Sequence, residues 1–435
     1  MEYDFAISRN AYSVVAELQN AGFETYIVGG AIRDLLLGRC PKDFDISTSA
    51  TPEEVRNVFG KRHARIIGKR FRLTHVTLNG ELFEVSTFRR TPSAHAGDSS
   101  DEKCRKMPEN MIVSDNSYGS SREDAFRRDF TVNALFYDPV KRELIDHTGM
   151  GLADIENCVV RAIGEPSLRF EEDPVRMLRA LKLVAQFDFS LHDATENALF
   201  DKLPLLRHVS PGRLSLELEK ILKSSSSDRH FEVFFDYGLL NFFLPELTAK
   251  WGSNACKRAL DLLYERNCRV DAGLYRDSIS LALAATALPF AAEELNCPAD
   301  KVWETRNDHV NEVLYRTVTE LFAPQILMVK VREAAVRIMN MQMLLEQARE
   351  QDIPVLMRHK SYSHARELLL IRHLSLGENT AGLEARFPKV NSSGEFNYSL
   401  PKRNRKTADN GFKRRRSRHR KHNKRPELPA DFSGE

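Results

Sequence analysis

Cysteine, tryptophan and long apolar runs are all scarce in this chain. The six cysteines among 435 residues (Cys40, Cys104, Cys158, Cys256, Cys268 and Cys297) never form a Cys-x-x-Cys pair. That spacing supports neither a thiolate zinc site nor a disulfide framework, and predicts reduced thiols. The most apolar stretch, 281–292, is expected to be broken by Pro289 and is shorter than the roughly 18 to 20 residues a bilayer crossing needs. The first ten residues hold no apolar run either, so the expectation is a soluble cytoplasmic protein. His75, His359, His364 and His373 fall in no metal-ligand spacing, the stretch 60–70 lacks P-loop spacing, and no segment repeats at a fixed period.

Net charge is small as well: 64 Lys and Arg against 61 Asp and Glu leave +3. The balance conceals an asymmetry. Residues 401–435 carry thirteen Lys and Arg against four Asp and Glu, leaving 51 against 57 on the first 400 residues. With 42% hydrophobic residues the acidic body can bury a substantial core, in roughly two to four domains.

Runs of β-branched and aromatic residues predict strands over 24–28, 44–47, 72–78, 82–87 and 131–137. From Asp173 onward the apolar spacing becomes helical: Val175, Leu178 and Leu181 share one face, with Arg176, Arg179 and Lys182 on another. The expectation is an α+β architecture. A mixed-sheet head over 1–150 is followed by a helical neck over 151–229 and a helical body over 230–387. A polar loop interrupts the head at 90–115, and 388–435 form a basic arm too poor in apolar residues to fold by itself.

The densest chemistry lies near the start. Tyr26-Ile27-Val28-Gly29-Gly30-Ala31-Ile32-Arg33 reads as a strand, a glycine turn and a helix, so that backbone N–H groups face an anion with no Cβ in the way. Arg33 follows one turn later, spaced to meet a phosphate. Asp43-Phe44-Asp45-Ile46 then alternates: on a strand both carboxylates project from one face while Phe44 and Ile46 turn to the core. Two adjacent carboxylates suit Mg²⁺, which in such sites bridges nucleotide phosphates and activates an attacking hydroxyl. Glu84, in the run 82–87, is a candidate third acid. Arg127-Arg128-Asp129-Phe130-Thr131 puts two cations and an acceptor ahead of an apolar run. Glu172-Asp173-Pro174-Val175-Arg176-Met177-Leu178-Arg179 starts a helix whose Asp173, Arg176 and Arg179 are spaced by three.

With these motifs in this order, residues 26–224 resemble the nucleotidyltransferases of the DNA polymerase β superfamily. The resemblance is to the class that holds bacterial poly(A) polymerases and tRNA CCA-adding enzymes. It implies that Asp43 and Asp45 hold two Mg²⁺ ions, with Asp129 completing the catalytic set. It implies too that Gly29, Gly30, Arg33 and Arg128 bind the triphosphate, and that Asp173, Arg176 and Arg179 address the base. Residues 146–154 depart from the family pattern, since Met150 separates Gly149 and Gly151. The helix after Pro211-Gly212-Arg213-Leu214 is expected to serve packing.

Within that class, residues 66–76 are similar to the segment typical of poly(A) polymerases, which implies ATP as substrate and RNA 3′ ends as acceptors. The basic arm agrees: Lys413, Arg414, Arg415, Arg416, Arg418, Arg420 and Lys421 suit salt-sensitive capture of a phosphate backbone. RNA-decay proteins are possible partners on the same resemblance. CCA addition shares every catalytic residue named and stays open, as does a noncatalytic RNA-binding role.

Overall fold

A seven-stranded mixed sheet carries the first third of the chain. Its strands are β1 (Thr25–Val28), β2 (Asp45–Thr48), β3 (Ala64–Ile67), β4 (Leu73–Leu78), β5 (Glu81–Thr87), β6 (Leu135–Asp138) and β7 (Glu143–Asp146), in the order β3-β4-β5-β2-β1-β6-β7. All neighbours are antiparallel except β2 and β5. This computed structural model describes residues 3–68, 72–90, 118–298 and 301–390. The expected basic arm with Lys413 to Lys421, and most of the expected loop at 90–115, lie outside the described residues.

Helices α1 (Arg9–Asn20), α2 (Gly30–Leu36), α3 (Pro52–Phe59), α4 (Ser121–Arg127) and α5 (Gly151–Glu156) accompany the sheet. The amphipathic α1 buries Ala11, Val14, Val15 and Leu18, a spacing of three to four that sets one helical face on the core. Next come α6 (Pro166–Glu172), α7 (Val175–Phe187), α8 (Asp193–Lys202) and α9 (Pro211–Lys223). Beyond them the chain is helical to Arg386. The α+β class is as the sequence predicts.

Two expectations need correction. The run 131–137 is not one strand: Thr131–Asn133 make a 3-10 turn, and β6 begins at Leu135. Beside that turn the buried Asp154 accepts from Thr131 Oγ1 at 2.6 Å and from Arg161, while the Thr131 N–H donates to the Arg161 carbonyl, outside the seven strands. Nor does Pro289 end the apolar segment. A helix runs through it from Ile279 to Glu294, with every residue from Leu281 to Ala292 buried. Packing on all sides outweighs the roughly 3 kcal/mol a mid-helix proline costs. Among the described residues no helix is long and apolar enough to cross a membrane.

His230, in the helix Ser227–Asp236, is 1% exposed. Its Nδ1 meets the Ser226 carbonyl at 2.6 Å while Nε2 has no partner among the described residues. Burial, with Lys182 adding to it, pushes the imidazole down to about 4 against the usual 6.5. The folded state thus keeps His230 neutral while the unfolded chain takes up a proton below pH 6.5. Stability is therefore expected to fall as pH drops from 6.5 towards 4, by roughly 3 kcal/mol from this group alone. Urea midpoints taken across that range should show the slope, and His230→Leu should flatten it.

Candidate active site

The sheet brings the glycine turn and the acidic pair together through the pairing of β1 with β2. Asp45 sits opposite Val28, the last residue before Gly29. Asp45 opens β2 and Asp43 precedes it by two residues. Both are exposed, while Ile46 is buried and Phe44 packs against the core. The two acids thus alternate with two inward apolar side chains, as the sequence pattern predicts, although Asp43 lies just ahead of the strand. On the other side of β2, the parallel register Ile46↔Val85 and Ser47↔Ser86 places Glu84 alongside Asp45. Ser47 and Ser86 meet at 3.0 Å, so this row shares one face. Glu84 lies 3.6 Å from His75 Nε2.

Although Asp45 reaches solvent, the protein packed around its carboxyl partly desolvates it and the anions of Asp43 and Glu84 crowd it, pushing it up to about 6; Arg128 pulls the other way. Among the described residues no three His, Cys, Asp or Glu side chains gather into a metal cage. A crowded carboxylate pair open to solvent nonetheless fits a Mg²⁺ ion, which takes one or two protein carboxylates and fills its shell with water and phosphate oxygens.

Arg128 roofs the glycine turn. Helix α4, which ends at Arg127, starts in a capping box between Ser120 and Glu123. Arg128 Nη2 donates to Ser47 Oγ at 3.2 Å and to Asp124 Oδ2 at 3.0 Å, Nη1 donates to the Asn133 carbonyl, and the guanidinium lies 5.2 Å over the Phe136 ring. Gly29 adopts φ +74°, and a Cβ there would stand 3.2 Å from Arg128 Nη1. The close approach and the left-handed backbone both require glycine. Arg127 is pushed down to about 9 by burial and by Arg89, Arg128, Arg176 and Arg169 around it. That density of cations favours an anionic ligand.

Arg33 is 8% exposed. It donates to Asp34 Oδ1 and, at 2.7 Å, to Asn133 Oδ1, and its face lies 4.4 Å from the Phe187 ring centroid. In this geometry Arg33 braces the turn from beneath instead of opening to solvent. Asp129 accepts from Phe130 N and Asn133 Nδ2 through Oδ1, while Oδ2 stands 3.8 Å from Arg179 Nη1.

The three residues expected on one helical face separate. Asp173 lies just ahead of α7, where it accepts from Val175 N as a cap does, and both its oxygens receive Arg213 Nη2 at 2.9 and 3.0 Å. Arg179, 42% exposed along its side chain, reaches Asp129. Arg176 is buried: Glu172, four residues earlier, captures its Nη1 at 2.8 Å and the Arg169 carbonyl takes it at 2.8 Å. Asp129 with Arg179 and Asp173 with Arg213 therefore form two ion pairs, with Arg176 turned inward.

Sequence reasoning missed several residues that hold this arrangement. Helix α9 packs as expected through Leu214, Leu218, Ile221 and Leu222, but its Arg213 grips Asp173. Asn133 joins Arg33, Arg128 and Asp129. Arg169 donates through Nη2 to the carbonyl oxygens of Arg127 and Arg128. No local signal marks these residues, since their partners lie 40 or so positions away or in a different element.

The mixed sheet, the carboxylate pair beside a glycine turn and the roofing arginine define a nucleotidyltransferase-type head. Residues 25–161 match the poly A polymerase head domain, and residues 188–250 match the probable RNA and SrmB-binding site of polymerase A. Over these two segments the chain is similar to the tRNA nucleotidyltransferase/poly(A) polymerase family. Poly(A) polymerase I of Haemophilus influenzae is 43% identical over 242 residues, 56% of this chain and 52% of that protein. A CCA-adding enzyme of Geobacillus is 38% identical over 242 residues, 56% of each. The chain spans about half the length of the curated relatives it matches. The solved structure of the Bacillus stearothermophilus CCA-adding enzyme in complex with CTP superposes with TM-score 0.57 at 28% identity, covering 87% of this chain and 81% of that one.

Proposed function

We propose that this chain adds AMP from ATP to RNA 3′ ends without a template, releasing pyrophosphate. The observation that carries the reading is the pair Asp43 and Asp45 set across from the Gly29 turn, with Arg128 above it. Mg²⁺ held by Asp43 and Asp45 would supply activation of the attacking hydroxyl and neutralisation of charge on the phosphates. Gly29 leaves room for the triphosphate to approach Arg128, which offsets its developing charge. Asp129 is placed to accept from a ribose hydroxyl. Asp173, with Arg179 and Arg213 near it, would offer an acceptor and planar donors to the base edge. The bond formed joins the RNA 3′ oxygen to the α-phosphorus, and the bond broken releases pyrophosphate with its electron pair.

Greater identity to poly(A) polymerase I of Haemophilus influenzae, 43%, than to the CCA-adding enzyme of Geobacillus, 38%, together with the basic composition of residues 401–435, supports tailing. The likeness over most of the chain to a CCA-adding enzyme bound to CTP keeps CCA addition as the second reading. Purified protein offered a generic RNA, a tRNA lacking its terminal nucleotides, and ATP or CTP separates them. Long A-tracts on the generic RNA are the expected result; incorporation from CTP confined to the tRNA would establish the second reading.

A further inference from the structure

We infer that Arg169 is a positioning residue that fixes the nucleotide site by tying helix α6 to the turn carrying Arg128 and Asp129; this rests on the reading of the site given above. One nitrogen of its guanidinium, Nη2, spans two consecutive carbonyl oxygens, those of Arg127 at 2.6 Å and Arg128 at 2.7 Å. Nη1 donates to Glu172 Oε2 at 2.6 Å. The same Glu172 oxygen receives Arg176 Nη1 at 2.8 Å, and that nitrogen also donates to the Arg169 carbonyl. Arg169 is 7% exposed, so these bonds form away from competing water.

The consequence is geometric. Arg128 faces Gly29 and Ser47, the phosphate side of the cleft. Asp129, one residue on, faces Arg179. Asp173 and Arg176 belong to the segment that follows Glu172. Each is therefore within a residue or two of an atom bonded to the Arg169 side chain or to its partner Glu172. A planar fork is needed for this, because two adjacent carbonyls and a carboxylate lie in different directions. A lysine ammonium reaches one or two of them and holds none in plane. Arg169 is buried and its bonds go to Glu172 and the Arg127 and Arg128 carbonyls, so its effect is expected to pass through the groups it places.

The test compares Arg169→Met, Arg169→Gln and Arg169→Lys with the wild type in RNA-tailing assays, with folding checked by circular dichroism and urea unfolding. For Arg169→Met, kcat/KM for ATP is expected to fall about 100-fold, the scale set by a misplacement on the order of 1 Å, with the KM for RNA unchanged. Arg169→Lys should recover part of the loss, and the preference for ATP over CTP should narrow in all three. Direct binding of a fluorescent ATP analogue should weaken in parallel. Variants that unfold more easily yet retain wild-type kcat/KM and the wild-type ATP to CTP ratio per folded molecule would overturn the inference. Should Arg169→Met not fold, Arg169→Lys is scored on the same ratio. A wild-type protein that incorporates no nucleotide would overturn the site reading instead, an outcome seen before any variant is compared.

Discussion

Asp45→Asn is expected to abolish AMP incorporation, by on the order of 10³-fold or more, while the protein stays folded. The two effects separate because of where the side chain sits. Asp45 opens to solvent at the first position of β2, and three carboxylates crowd one another there: its own, that of Asp43 two residues earlier and that of Glu84 on the adjacent strand. Removing one anion relieves repulsion, so the melting temperature should hold or rise slightly, whereas a structural residue would lower it. The same substitution takes away half of the carboxylate pair set across from the Gly29 turn. Asparagine keeps the shape and leaves a neutral oxygen in place of a ligand able to hold a divalent cation. RNA binding, measured by retention of a labelled oligonucleotide, should be nearly unchanged. An Asp45→Asn protein with wild-type tailing would sink the assignment of the site.

Much of the head was legible because its chemistry is local. Gly29 and Gly30, the alternation Asp43-Phe44-Asp45-Ile46 and the Arg-Arg-Asp run each occupy a few consecutive residues, and strand periodicity alone sets which side chains share a face. What escaped was everything that depends on a partner far along the chain. Arg176 looked like a member of the face that carries Asp173 and Arg179, but Glu172 and the Arg169 carbonyl draw it into the interior. Arg33, spaced to meet a phosphate, spends its donors on Asp34 and Asn133 and its face on Phe187, which lies at the far end of α7. Arg213 stands at the start of a helix expected only to pack, and only the fold brings it to Asp173, 40 positions away. Pro289 would end a solvent-facing helix, and burial on every side of the segment overrides that preference.

Gly29→Ala tests the turn from the opposite direction, by adding a single carbon. The backbone there has φ +74° and ψ −135°, a conformation that costs an L-residue about 1 to 3 kcal/mol. The new Cβ would also stand 3.2 Å from Arg128 Nη1, so one of the two must move by a few tenths of an ångström. The backbone of Gly29 is fixed by its N–H donating to the Leu135 carbonyl, and Arg128 is held from the other side by Asp124 and by the Phe136 ring beneath it. The displacement therefore falls on a cation whose position sets the phosphate side of the cleft. A loss of roughly 10- to 100-fold in kcat/KM for ATP follows, larger than the drop in stability alone would produce. Gly60→Ala supplies the control: φ is +77° there, but nothing lies within 4 Å of the added carbon. Its strain should appear in the urea midpoint and leave the kinetics of the folded protein untouched. If the two substitutions lower kcat/KM equally, the contact between Gly29 and Arg128 has no part in nucleotide binding.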